Sequence, residues 1–386
     1  MQVVRRLYEN GEPTVKKNLI LVAQSARLLV KSAYRGGWSP WVVDFYGDLD
    51  TCRYSEKYKQ VTHSKGNVLD NAIVEAITSI TDGKEGVALI FGSGFDGRPE
   101  LIDFLSRHYA LYGNGAQTIK NVKQPDSFFA LLDRLQIPYP AIRFSKPMQK
   151  EGWLLKKGGS EGGRGVWPAG EVDPPHVKKC YYQRRLTGQV GSVLFLADGE
   201  RHRTIGFNNQ WTTAIDSRYP FQFGGIANWI ELTDEQRYRL DSYIAAIVHA
   251  ITLKGLNSLD FIVDGDCCII LEINPRPSAS MALYDEHFYD GLVDAHIRAC
   301  QGDLQSQQCC FELRATSIIF ARKSLTVPKV QEWPKWSADR PMEGTVIAAF
   351  QPLCSVSASG DRPHDVMRKL KLRGVEMEKQ LYRQFA

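Results

Sequence analysis

Residues 259–280 read LDFIVDGDCCIILEINPRPSAS. Two apolar runs, Ser258 to Val263 and Cys267 to Asn274, flank Asp264-Gly265-Asp266, the turn chemistry of a β-hairpin. A three-residue loop pairs Val263 with Cys267, and side-chain alternation then sorts every position. One face carries Leu259, Phe261, Val263, Ile269, Leu271 and Ile273. The other carries Ser258, Asp260, Ile262, Cys268, Ile270, Glu272 and Asn274. A wholly apolar face belongs to a core, so the second face looks into a cleft, with two carboxylates and an amide at its end. Oxygen donors on rigid strands suit Mg²⁺, which binds through one or two carboxylates plus substrate phosphates. A solvated sheet face could carry the same charges. Against that reading, Pro275-Arg276-Pro277 sets a conformationally restricted cation beside the acids.

Upstream, Thr233 and Gln236 form a capping-box pair, and Leu240, Tyr243, Ile244, Ile247, Val248 and Ile251 make one helical stripe that stops before Gly255. Further upstream, Trp153 to Val166 reads WLLKKGGSEGGRGV. Gly158, Gly163 and Arg164 occupy the spacing of a Walker A loop, but Arg164-Gly165 stands where Lys-Ser/Thr is required. Lys156 and Lys157 instead precede the glycines, at the end of an apolar run. The elements are those of a phosphate loop in reversed order. A short helix from Pro125, with Phe128, Phe129, Leu131, Leu132 and Leu135 on one face, and strands at 141–144, 153–156, 181–183 and 192–196 make a lid that carries this loop as a flap.

The first third alternates strand and helix signals. Strand runs at 18–23, 41–45, 87–91 and 109–112 enclose helical stripes from about Ala26, from Val68 to Ile80 and from Pro99 to Arg107, the pattern of a doubly wound parallel sheet. The strand ending at Phe91 runs into GSGFDG, a GxGxxG match at Gly92, Gly94 and Gly97. A dinucleotide fingerprint requires an acid for the ribose about twenty residues on. No Asp or Glu occurs from Phe104 to Pro125, so the stretch reads as a tight turn or as the wall of a substrate cleft.

Composition sets outer limits. The 386 residues are 43% apolar and 24% charged, enough for a large core divided into two or three domains. A net charge of +5 is mild for this length, and without a basic tract nothing suggests nucleic acid as the main partner; a small anionic ligand would be enough. No apolar run approaches the eighteen or so residues of a membrane span, and the opening MQVVRRLYENGEPTVKKN lacks a signal-peptide core, so a cytoplasmic location is expected. The eight cysteines, with adjacent pairs Cys267-Cys268 and Cys309-Cys310 and no CxxC spacing, read as reduced packing residues.

Lys156 ahead of GGSEGGRGV, the segment CYYQRRLTG and the hairpin LDFIVDGDCCIILEINPRPSAS together resemble the ATP-grasp ligases, over about residues 18–300. The N-terminal stretches NLILVAQSARLLVKSAYRGGWSPWVVDFYGDLDT and IFGSGFDGRPELIDFL look like the branch that includes predicted ligases of archaea and methylotrophic bacteria. The resemblance implies a Rossmann-like domain over 1–115, a lid over 116–195, a catalytic subdomain over 196–309 and a β-rich appendage with a helix over 310–386. It implies ATP and Mg²⁺ as cofactors, with Mn²⁺ as a substitute. Lys156, with Lys120 on the preceding strand, would hold the α/β-phosphates, and the amides of Gly159 to Gly163, Gly162 among them, would cover the β/γ-phosphates. Gln183 and Leu186 would sit at the adenine hinge. Glu272 and Asn274 would bind the metal, with Asp260 as a further ligand, and Arg276 would neutralise charge on the transferring phosphoryl group. Arg27, Gly94, Arg276 and Ser278 would hold the substrate. The chain departs from the family in carrying Gln189 and Val190 where a ribose-binding acid is common, and Lys157 where a Pro often follows the first lysine.

The chemistry implied is phosphorylation of a carboxylate by ATP and attack of an amine on the acyl phosphate, with ADP and phosphate released. In one-carbon carrier synthesis of the methanofuran and methanopterin type, glutamate would be joined to an amine such as tyramine or to a pterin. The alternatives are a carboxylase-like or kinase-like enzyme that activates a small acid without forming an amide, and a nucleotide sensor with no activity. The expected partners are small molecules and, for assembly, further copies of the same chain, without nucleic acid or membrane. His202, Arg203, Gln210 and Trp211 are further candidates for the pocket wall.

Overall fold

A computed structural model describes residues 8–9, 12–13, 17–61, 68–170, 180–215, 218–304, 312–329 and 332–382. Cys309-Cys310 and the expected end of the last helix at Phe385 lie outside them; the six described cysteines are unpaired thiols.

The N-terminal sheet is fully parallel, its strands ordered Lys57–Gln60, Ser39–Asp44, Asn18–Ala23, Ala88–Phe91, Ala110–Leu111. The central strand has the burial pattern of a strand covered on both faces, with every residue from Leu19 to Ala23 buried. The strand Lys57–Gln60 and the short helix Leu49–Tyr54 before it were not legible as elements, because KYKQ is polar and lies at the sheet edge. Strand order reverses between Asn18–Ala23 and its two neighbours. The loops leaving Ala23 and Phe91 therefore diverge at a topological switch point, where open α/β sheets bind ligands. Both GSGFDG and Arg27 follow from this point.

The second sheet has eight antiparallel strands in the order Cys267–Asn274, Lys254–Asp264, Gln189–Asp198, His202–Thr212, Phe223–Ala227, Leu313–Phe320, Pro352–Gly360, Ser337–Ala338. One expectation changes here. Strand Gln189–Asp198, expected in the lid, pairs along its length with Lys254–Asp264 and belongs to this sheet. The β-rich C-terminal segment with its helix continues the same sheet: Leu313–Phe320 pairs with Phe223–Ala227, and helix Pro363–Tyr382 buries Val366, Leu370, Met377 and Leu381 against it. The lid proper is a four-stranded sheet, Val166–Pro168, Trp153–Lys157, Cys180–Arg184, Ile142–Arg143. Helix Pro125–Arg134 covers it, and its Phe129 ring meets that of Tyr181 at 5.7 Å.

Helix Asp234–Ile251 begins in the expected capping box and packs its apolar stripe under the hairpin. The hairpin itself has a different register. Asp264 pairs with Cys267, so the loop has two residues, and a bulge at Leu271 then sets the pairing Asp260↔Glu272 and Ser258↔Asn274, which returns Glu272 and Asn274 to the expected face. Beyond the bulge the faces exchange. Cys268 and Ile270, expected in the cleft, are buried in the core, while Leu271, expected in the core, lines the cleft. The acids keep the face that the alternation predicts, because the bulge lies on the turn side of them.

Candidate functional site

The lid sheet, the eight-stranded sheet and the switch point enclose a cavity of about 1400 Å³. The hairpin places Asp260, Glu272 and Asn274 on one wall through their cross-strand pairing. Asn274 Nδ2 donates to Asp260 Oδ2 at 3.3 Å, so its Oδ1 faces the other way and accepts from Lys123 Nζ at 2.9 Å. Burial pushes the Asp260 carboxyl up to about 8, and the neighbouring Glu272 adds to the shift. Two crowded carboxylates form a donor set that a hard divalent cation would relieve, and the Asn274 amide oxygen, held by Lys123, is the third oxygen on this wall. Among the described residues no three His, Cys, Asp or Glu side chains converge. The fit is thus to a metal such as Mg²⁺ that takes its remaining ligands from phosphates and water.

The cations opposite are Lys123, Lys156 and Arg276. Lys120, expected on a strand and on the phosphates, sits in helix Ala116–Lys123 and pairs with Glu100 at 3.1 Å. One turn on, Lys123 projects into the cleft, 2.8 Å from Asp96 and 3.8 Å from Glu272, with its side chain only 7% exposed. Asn274, Glu272 and Asp96 thus gather around one buried ammonium. Lys156 Nζ donates to Gln183 Oε1 at 3.1 Å across the lid sheet, and the Nε2 of Gln183 is buried with no partner. Gln183 and Leu186 both line the cavity at the lid's edge.

Asp96 was not singled out in the sequence, although GSGFDG contains it. It is the buried counter-ion of the site, accepting from Arg276 Nε at 2.8 Å, Arg276 Nη2 at 3.2 Å and Lys123. Burial alone would raise its carboxyl; Arg276 and Lys123 outweigh burial and hold it below the usual carboxylate range. The bidentate contact fixes the guanidinium plane of Arg276, which is 8% exposed. The only sequence signal for Asp96 was an acid inside a glycine turn that follows a buried strand.

The flap is the hairpin loop between Trp153–Lys157 and Val166–Pro168, which pair through Lys156↔Val166. Gly159, Gly162 and Gly163 all have left-handed φ, at 72°, 63° and 75°. Gly163 is pressed on the backbone of Phe221, where a Cβ would lie 1.8 Å from the carbonyl oxygen, and the Gly162 carbonyl accepts from Phe223 N–H at 3.0 Å. At the other side Gly159 packs on Gly97. Glu161, at the flap tip, accepts from the N–H groups of Gly94 and Asp96 at 2.8 and 3.2 Å and from Arg276 Nη2 at 2.5 Å. It too passed unnoticed in the sequence.

The other expected substrate residues are spread along the cavity. Ser278 lines it and shares a 2.7 Å hydrogen bond with Ser280. Arg27 lines it from the switch point, its Nε donating to Asp339 Oδ1 at 2.6 Å. Asp339 comes from the C-terminal segment, which also supplies Gln351, acceptor of a 3.1 Å bond from Arg164 of the flap. Gln210 and Trp211 line the wall, whereas His202 bonds with Asp241 at 2.9 Å beside helix Asp234–Ile251.

Residues 127–280 match the family described as an ATP-grasp domain. Nearly the whole chain superposes on solved structures of low sequence identity. Biotin carboxylase of Campylobacter jejuni, in a β,γ-ATP complex, is 13% identical with a TM-score of 0.69 over 92% of this chain and 90% of that one. The biotin carboxylase domain of Hydrogenobacter thermophilus 2-oxoglutarate carboxylase, solved with MgADP and bicarbonate, is 14% identical with a TM-score of 0.70 over 91% of this chain and 89% of that one. N5-carboxyaminoimidazole synthase of Aspergillus clavatus, solved with ADP and 5-aminoimidazole ribonucleotide, is 12% identical with a TM-score of 0.68 over 94% of this chain and 99% of that one. The chain therefore has the ATP-grasp fold, a parallel-sheet N-terminal domain followed by antiparallel sheets.

Proposed function

We propose that this protein is an ATP-dependent carbon–nitrogen ligase, which activates a carboxylate as its acyl phosphate and passes the acyl group to an amine. An ATP-grasp domain is an enzyme domain that works with ATP and Mg²⁺. The observation that carries the finer reading is the meeting of Lys123, Arg276 and the Asp260, Glu272, Asn274 wall under one glycine flap. In this reading Lys156 and Lys123 bind phosphate oxygens, the amides of Gly159, Gly162 and Gly163 cover them, and Gln183 with Leu186 receives the adenine. Asp260, Glu272 and Asn274 would hold Mg²⁺, which would neutralise phosphate charge there. Arg276, held rigid by Asp96, meets the negative charge that develops on the transferring group and costs little reorganisation there. A carboxylate oxygen bonds to the γ-phosphorus as ADP leaves. The amine then attacks the acyl carbon and expels inorganic phosphate. The chain supplies position and charge, and no side-chain nucleophile is needed.

For the substrates, glutamate is the acid and tyramine or a pterin amine the acceptor, as in one-carbon carrier synthesis. Support for a dicarboxylic acid comes from two arginines, Arg27 and Arg276, lining the same cavity. A second reading rests on the solved neighbours, one of which was crystallised with bicarbonate. In that reading bicarbonate is the acid activated, and the product is an N-carboxy compound. Glutamate labelled with heavy oxygen in its carboxylates decides between them. The ligase transfers one label to inorganic phosphate, releases ADP and, with hydroxylamine present, forms a hydroxamate. Release of ADP that depends on bicarbonate and leaves phosphate unlabelled would establish the second reading, and AMP with pyrophosphate would exclude both.

A further inference from the structure

Glu161 is an odd residue for its position. A loop whose amides are turned towards phosphate oxygens gains nothing from a carboxylate, which repels the same anions. Yet this carboxylate is well received. Three donors converge on it, Gly94 N–H and Asp96 N–H on Oε1 and Arg276 Nη2 on Oε2, and its side chain is 15% exposed. Burial and the nearby Asp96 push its carboxyl up while Arg276 opposes them, so the contact is not a simple ion pair in water.

All three donors belong to the base of the site and are fixed independently of Glu161. Gly94 has φ +93°, and a Cβ there would lie 3.2 Å from Gln24 and 3.3 Å from Phe45, so the turn is packed in place. The neighbouring Ser93 carbonyl accepts from Gln24 N–H at 2.7 Å. Arg276 is held from behind by both oxygens of Asp96. Glu161, by contrast, rides on a loop with left-handed glycines at 159, 162 and 163, where the absence of a Cβ leaves the backbone several conformations. If the flap lifts, the receptor stays. Two convergent amides and an arginine face then present a ready carboxylate-binding pocket at the switch point, beside the metal wall.

We propose that Glu161 is an internal stand-in for the substrate's carboxylate: the Gly94, Asp96 and Arg276 donors form the subsite for the acid, and the acid displaces Glu161 when it binds. The inference rests on the ligase reading, since it names where that reaction's acid sits. The exchange replaces one monoanion with another, so the balance of Arg276 and Lys123 against Asp96 is unchanged. It also frees the flap tip from the N-terminal domain. Arrival of the acid and release of the flap are thereby one event, and Glu161 sets how strongly an acid must bind to trigger it.

Amide hydrogen exchange on the full chain tests this with acetate as the carboxylate probe and chloride as the control at equal ionic strength. In the parent protein, acetate should speed exchange in the flap, 158–165, while 92–97 stays protected. In Glu161→Ala, protection at 92–97 should fall at least tenfold, and acetate, not chloride, should restore it there and leave 158–165 fast. Acetate acting no differently from chloride on the parent overturns the proposal even if the variant does not fold. Restoration by chloride as well as acetate overturns it too. Thermal stabilisation by MgADP is read in the same samples. A protein that MgADP stabilises but acetate leaves untouched loses the stand-in and keeps the nucleotide site, whereas no response to MgADP removes the ligase reading itself.

Discussion

Gly162 and Gly163 are adjacent, both left-handed, and equivalent as sequence, yet the structure separates them. An alanine at either position takes an L residue into the left-handed region at about 1–2 kcal/mol. At Gly162 nothing lies within 4 Å of the added Cβ, so the backbone strain is the whole cost. At Gly163 the Cβ would lie 1.8 Å from the Phe221 carbonyl oxygen and 2.7 Å from its carbon, both backbone atoms that cannot rotate away. The flap must lift. It then loses the 3.0 Å bond from Phe223 N–H to the Gly162 carbonyl, worth about 0.5–1.5 kcal/mol, together with the packing around it. The two variants should therefore differ by roughly 1.5 kcal/mol or more in docking the flap, about tenfold in nucleotide affinity. Titration of each variant with a fluorescent ADP analogue in the presence of Mg²⁺ measures this directly, and tryptic cleavage after Arg164 reports the lifted flap. Gly162→Ala should bind about 5- to 30-fold more weakly than the parent, and Gly163→Ala about a further tenfold more weakly. Equal affinities for the two alanine variants would show that the flap does not need its seat on Phe221.

The lysines make a second paired test: Lys123→Ala should reduce ATP turnover at least 100-fold, on the order of the loss of one preorganised donor, whereas Lys120→Ala, which breaks only the pair with Glu100, should stay within about twofold. The opposite ranking in a coupled ADP-release assay would restore Lys120 to the phosphate site. His296 predicts an acid limit to stability. Burial lowers its imidazole from 6.5 to about 4, although its bond to the Tyr112 carbonyl opposes the shift, and its Nδ1 must stay unprotonated to accept from Leu256 N–H at 2.8 Å. Its contribution is complete above pH 6.5 and lost as pH falls towards 4, because the unfolded chain takes up the proton first, a loss of roughly 3 kcal/mol. Urea unfolding at pH 7 and pH 4 should show this loss in the parent and not in His296→Gln, and equal pH dependence in the two proteins would refute it.

What was legible in the sequence is what short-range periodicity encodes. Alternation over Ser258 to Asn274 put Asp260, Glu272 and Asn274 on one face, and the capping box at Thr233 and Gln236 fixed the start of the helix beneath them. The flap was legible because left-handed backbone selects glycine, whatever surrounds it. The bulge at Leu271 was not. It depends on how far the partner strand is drawn in by the core under it, and it moved Cys268 and Ile270 inward and Leu271 outward. Lys120 and Lys123 are both lysines near an apolar stripe, and only the packing of helix Ala116–Lys123 decides which ammonium enters the cleft. Asp96 and Glu161 lie 180 and 115 residues from Arg276, and their joint hold on one guanidinium arises because three chain segments converge at the switch point. Local pattern determined which residues could do chemistry, and long-range contact, whose partners no sequence period encodes, decided which of them meet.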